Sequence, residues 1–131
     1  MSKEDIQALV AYRLEQANQA LQASDALMPL SLYREVVNRA YYAMFYAVLA
    51  LLAVNKQETS KHSGAISLFD TEFVKTGIFD KDFSRWLHEA FNLRLKSDYT
   101  PLFNISEETA REILECAKKF VAGVNTQLRP L

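Results

Sequence analysis

The side chains able to do chemistry gather in four short stretches. In Arg94-Leu95-Lys96-Ser97-Asp98-Tyr99, Arg94 and Asp98 stand four apart, neighbours on a helix face. One reading is an intrahelical ion pair; the other is a guanidinium gripping phosphate at a cleft, with Asp98 orienting it and Tyr99 beside it. In Asn38-Arg39-Ala40-Tyr41-Tyr42-Ala43-Met44-Phe45-Tyr46, residues Arg39, Tyr42 and Tyr46 follow helical spacing along one face. A guanidinium among phenols holds a phosphate or stacks on a base. Alternatively, the tyrosines are core residues and the arginine reaches from the core edge to water. Lys61-His62-Ser63 opens a helical stretch. A helix N-terminus attracts anions through its free N–H groups, and a Lys and a His would add to that pull. The plain alternative is a solvated capping segment. His88, beside Glu89 and after Trp86-Leu87, reads as a packing or surface histidine.

Composition removes several function classes. The chain has 131 residues, 15 basic against 16 acidic, for a net charge of −1. Broad electrostatic affinity for nucleic acid or membrane is therefore excluded, and any nucleic-acid site must be local. A single Cys rules out an intramolecular disulfide and every multi-cysteine metal site. Two histidines without a paired carboxylate cluster offer no metal site, and no cofactor is expected. No glycine-rich phosphate loop is present, and scattered Ser, His and Asp residues do not make a nucleophilic triad.

These residues need a scaffold, and the apolar spacing supplies a helical one. Ser2 caps a first helix with Asp5 three residues on, and Ile6, Leu9, Val10, Leu14, Ala17 and Leu21 form its stripe. Met28-Pro29 interrupts it. A second helix is expected from Leu30 to Val54, apolar nearly all round in its C-terminal half and so covered on several sides. Asn55–Ser60 reads as a loop. Ile66, Phe69 and Phe73 mark a third helix with Lys75 in its last turn and Gly77 just beyond. Asp80 caps a fourth, carrying Phe83, Trp86, Leu87, Ala90 and Phe91, which Thr100-Pro101 stops. Ser106, with Glu107 and Glu108, opens a fifth. There Ile113, Ala117, Phe120 and Val124 form a stripe, and Ile105 and Ala110 a small staple. No segment alternates with a period of two. The expected fold is all-α, a mainly antiparallel bundle in one domain spanning residues 1–131.

Ala40–Val54 is apolar for fifteen residues. That is short of the roughly 17–25 a spanning helix wants, and it carries three tyrosines, so a buried central helix is expected and no membrane partner. The charged start, MSKEDIQALV, lacks a signal-peptide pattern, and the expected location is cytoplasmic.

Four ordered segments, NRAYYAMFYAVLALL, KHSGAISLF, FVKTG and RLKSDY, together resemble the HEPN-domain superfamily, closest to its small single-domain bacterial and archaeal branch. The resemblance runs from about Leu30 to Val124. It implies a five-helix HEPN bundle, a homodimer, and in many relatives metal-independent RNA cleavage as a toxin paired with a minimal nucleotidyltransferase antitoxin. The ribonuclease members carry an Arg followed a few positions later by a His. Arg94 matches the Arg, but Asp98 stands where a proton carrier is wanted and no His follows. The resemblance thus implies an RNA- or nucleotide-directed protein of a toxin–antitoxin system whose RNase activity is weak or lost. Arg94, Asp98 and His62 are the catalytic candidates; Arg94, Tyr99, Arg39, Tyr42 and Lys61 are the binding candidates. The alternatives are a non-catalytic nucleotide-binding partner of a nucleotidyltransferase, and a purely structural dimerisation bundle.

Overall fold

The structure is a computed structural model that describes residues 1–59 and 61–129. Five helices carry the fold: α1 (Lys3–Leu27), α2 (Tyr33–Val54), α3 (His62–Phe69), α4 (Lys81–Tyr99) and α5 (Glu107–Gln127). No strand occurs among the described residues. The all-α bundle expected from the apolar spacing is what the chain forms, with five α-helices among the described residues.

The caps act where their residue types stand. The Ser2 hydroxyl accepts from the Asp5 N–H while the Asp5 carboxylate accepts from the Ser2 N–H, a reciprocal box at the start of α1. Asp80 accepts from the Asp82 N–H and Ser106 from the Thr109 N–H at the starts of α4 and α5. Ile105 and Ala110, flanking the last of these caps, are both buried.

Two boundaries depart from the sequence expectation. The second helix begins at Tyr33, not Leu30, because Met28–Leu30 winds into one 3₁₀ turn behind Pro29 and Ser31 takes a left-handed conformation (φ 59°). That conformation breaks the helix register between α1 and α2. The third helix is not regular through Phe73. After Phe69 the backbone widens into a π turn over Asp70–Val74, with the Lys75 N–H donating to the Asp70 carbonyl. The extra residue turns both Phe69 and Phe73 into the core (0% and 5% exposed), and Gly77 (φ 84°) then reverses the chain. In the loop expected over 55–60, Ser60 lies outside the described residues.

The α2 helix is the axis of the bundle. It packs against α1, α3, α4 and α5, and thirteen of its side chains are buried. This helix is long and apolar enough to cross a membrane, but 67% of its most apolar stretch is buried inside the protein, as befits a core helix. Intrachain packing therefore covers most of the apolar surface of α2. A buried Ser24 hydroxyl donates to the Val36 carbonyl (2.7 Å) and ties α1 to the first turns of α2 without leaving a polar group unpaired. Towards the start of α4, Phe69, Phe79, Phe83, Trp86 and Phe120 form a continuous aromatic cluster that joins α3, α4 and α5.

Candidate functional site

At the opposite end of α4 the polar residues gather. Arg34, Asn38, Tyr41 and Phe45 follow one another along α2 at intervals of four, three and four, so they share one face. That face runs from exposed Arg34 to fully buried Tyr41. Arg94, four turns into α4, lays its guanidinium over it. The Cζ atom is 5.5 Å from the centre of the Tyr41 ring and 5.2 Å from that of Tyr42. Such cation–π contacts contribute about 0.5–2 kcal/mol each and hold the planar group in one orientation. The Arg94 side chain is 18% exposed.

Asp98 approaches from one turn further along α4, its Oδ2 3.4 Å from Arg94 Nε. This distance makes an ion pair, but the alignment does not make a hydrogen bond, and the buried Nε–H has no hydrogen-bond partner among the described residues. Arg94 is thus restrained by rings on one side and a carboxylate on the other, with hydrogen-bonding capacity left over. A guanidinium in that condition is suited to an oxyanion with two acceptor atoms.

His62, the first residue of α3, completes the cluster. Its ring stacks on Phe45 with centroids 4.1 Å apart and planes 9° from parallel, and its Nδ1 lies 2.6 Å from the Tyr41 hydroxyl. Burial pushes the Tyr41 phenol well above its usual value near 10, with Arg94 pulling the other way, so the phenol keeps its proton. Burial also lowers the His62 pKa, and Arg94 lowers it further by repelling a second cation. A neutral imidazole beside a protonated phenol has one good arrangement: the Tyr41 O–H donates to Nδ1, and the imidazole proton sits on Nε2. Arg94, paired with Asp98, and a neutral His62 therefore both adjoin the Tyr42 ring.

The last turn of α4 is fixed from α2. Arg34 donates from Nε to the Ser97 hydroxyl (2.9 Å) and from Nη2 to the Ser97 carbonyl. That carbonyl is among the last four of α4, which have no partner within the helix, so a side chain from another helix satisfies it. Arg34, Ser97 and Tyr41 were not among the residues singled out from sequence. The signal for Arg34 and Tyr41 was the stripe they share with Asn38 and Phe45. Ser97 had no signal, because its role depends on which helix faces it.

Of the sequence candidates, Arg94, Asp98, Tyr42 and His62 meet. The others do not join them by hydrogen bond or ion pair. Arg39 is exposed and lies nearer Tyr46 than Asn38 around the α2 circumference, Lys61 is exposed, and Tyr99, the last residue of α4, is 77% exposed. His88 is spent elsewhere: its Nε2 pairs with Asp70 Oδ2 at 2.7 Å, bracing the π turn against α4. Among the described residues no three metal-binding side chains converge.

Residues 10–127 match the HEPN domain. A Methanocaldococcus jannaschii protein bearing the provisional name of toxin is 36% identical to the chain, over 98% of this chain and 92% of its own length. A UPF0332 protein of Thermotoga maritima is 32% identical over 94% and 93%, and a UPF0332 protein of Archaeoglobus fulgidus is 34% identical over 83% and 86%. With a family match across most of its length and relatives aligned nearly end to end, the chain belongs to the HEPN-domain family.

Proposed function

We propose that this HEPN protein is directed at RNA or a nucleotide, with Arg94 as the phosphate-binding group. The observation that carries the reading is the state of Arg94. It is largely buried, held by two phenol rings and a carboxylate, and left with an unpaired Nε–H. A group confined in this way is costly unless a ligand uses it.

Cleavage by such a site would need no metal. The ribose 2′-oxygen attacks the adjacent phosphorus and the bond to the 5′-oxygen breaks. The products are a 2′,3′-cyclic phosphate and a 5′-hydroxyl. Asp98 accepts the 2′-hydroxyl proton, Arg94 stabilises the charge that builds on the phosphorane, and the departing 5′-oxygen takes up a proton from water, because a neutral His62 has no acidic proton to give. Asp98 stands where the ribonuclease members carry a His, the side chain best suited to moving protons near neutral pH. His62 has its Nδ1 occupied by Tyr41. We therefore expect cleavage to be weak, and a non-catalytic nucleotide-binding role, as partner of a nucleotidyltransferase, is the second reading these two facts favour. The toxin name of the M. jannaschii relative supports placing the protein in a toxin–antitoxin pair.

Purified protein incubated with tRNA and total RNA in EDTA tests the proposal, with Arg94→Ala as control. RNA binding that Arg94→Ala abolishes is expected, with slow cleavage that Asp98→His accelerates by restoring an imidazole next to Arg94. If neither wild type nor Asp98→His binds or cleaves any RNA or nucleotide, the RNA-directed reading gives way to a structural bundle.

A further inference from the structure

Beside Arg94 a cavity of about 150 Å³ opens between the first turns of α2 and the last turn of α4. Its walls are Arg34, Glu35, Asn38, Arg94, Ser97 and Asp98. Ser97 is satisfied by Arg34, whose Nη1 remains free. Glu35 and Asn38 have no side-chain hydrogen bond among the described residues, and Asp98 is the one charged partner of Arg94 among them. Acceptors and donors lining one hollow suit a ligand with both kinds of group on one small frame.

Size and polarity narrow that ligand. A cavity of about this volume accommodates one benzene ring. The hollow therefore suits a single aromatic ring and is cramped for the fused rings of a purine. Glu35 can accept from a donor on the ligand, while the Arg34 guanidinium and the Asn38 amide can donate to its acceptors. Cytosine carries both: its N4 amino group is the natural partner of a carboxylate, and its N3 and O2 accept from Arg or Asn. Uracil turns a carbonyl towards the position of that amino group, where a carboxylate repels it.

We propose that this cavity is a base pocket, selective for a pyrimidine and best fitted by cytosine, which seats the nucleotide whose phosphate Arg94 holds. The proposal rests on the reading of Arg94 as the phosphate-binding group. Glu35 and Asn38 are then specificity residues, and Arg34 both closes the pocket and anchors its α4 wall.

The test is an NMR-detected titration of the full chain with CMP, UMP, AMP and GMP, and with ribose 5-phosphate as the probe without a base. CMP is expected to bind at least tenfold more tightly than AMP, GMP and ribose 5-phosphate, with UMP between them. Shifts should centre on α2 residues 34–38 and on 94–98. In Glu35→Gln, an exposed and conservative change, the ratio of CMP to ribose 5-phosphate affinity should fall towards one. Equal affinity for all four nucleotides and ribose 5-phosphate, or a preference for purines, overturns the base pocket and leaves the phosphate site standing. Failure of ribose 5-phosphate and every nucleotide to bind overturns both.

Discussion

What sets Arg94 apart from the other arginines is its neighbours and not its own chemistry, since every arginine is charged at neutral pH. The Tyr41 and Tyr42 rings and the Asp98 carboxylate fix its plane, so the predicted effect of mutation is large and specific. Arg94→Ala should weaken nucleotide or RNA binding tenfold or more, the loss of at least one charge-assisted hydrogen bond of about 1.5–3 kcal/mol, with far-UV circular dichroism unchanged. Arg94→Lys should recover little, because an ammonium is a point charge without the planar fork. His62 gives a pH signature. Its pKa is lowered in the folded protein, so the unfolded chain takes up a proton first as the pH falls. The stability this contributes is complete above the ordinary histidine value of about 6.5 and is lost as the pH falls through the folded pKa. NMR titration should therefore find the His62 midpoint below that of His62 in the denatured chain. Tyr41→Phe should release Nδ1, mix the two neutral tautomers in the ¹⁵N spectrum and cost about 1–3 kcal/mol in urea denaturation.

Among elements, α2 and α4 matter most, because one holds the other at the site. The Arg34 fork on Ser97 replaces the helix bonds that the end of α4 lacks. Arg34→Ala should destabilise the protein by about 1–3 kcal/mol and speed amide exchange in the last turn of α4 before it affects α1 or α5. At the far end, α5 approaches α4 at Gly123, where an added Cβ would sit 2.6 Å from the Phe83 ring. Phe79, Trp86 and Phe120 surround that ring, so it has little room to move. Alanine would gain about 0.5–1 kcal/mol of helix propensity and incur about 1–3 kcal/mol of overpacking. Gly123→Ala should therefore lower the thermal midpoint despite improving the helix, and a rise would show that the aromatic cluster yields.

For the whole molecule, the open matter is assembly. We expect a homodimer, but the surface to carry it is not α2, which the chain covers by itself. Four of the eight exposed large apolar side chains among the described residues flank two turns: Leu30 and Leu32 between α1 and α2, Tyr99 at the end of α4 and Leu102 just beyond it. The Tyr33–Glu107 hydrogen bond brings these turns to one end of the bundle. Leu102 is 95% exposed and holds a left-handed φ of 63°. Burial against a second copy would give this residue a packing role. Sedimentation at micromolar concentration should show about twice the 15.0 kDa chain mass, and Leu30→Ser with Leu102→Ser should shift it to monomer. A wild-type species at the chain mass rejects the dimer.

The sequence by itself determined the helices and their faces. Capping chemistry and apolar spacing are local, acting over three or four residues, so Ser2, Asp80 and Ser106 could be read directly, as could α2 as the buried axis. Arg94 and Asp98 were legible as a pair for the same reason, being one helical turn apart. Local rules did not extend to the backbone irregularities at Ser31 and Asp70–Val74, where core packing of Met28, Phe69 and Phe73 outweighs helix continuity. They said nothing about which side chains meet across helices. Tyr41 and His62 are twenty-one residues apart and Arg34 and Ser97 sixty-three, and neither pairing has a periodic signature. Only the packing of α3 and α4 against α2 put Arg94 over two phenol rings that also meet a neutral imidazole. It also excluded Arg39, Lys61 and Tyr99 from that contact, because a side chain's place around a helix is local but the helix that faces it is not.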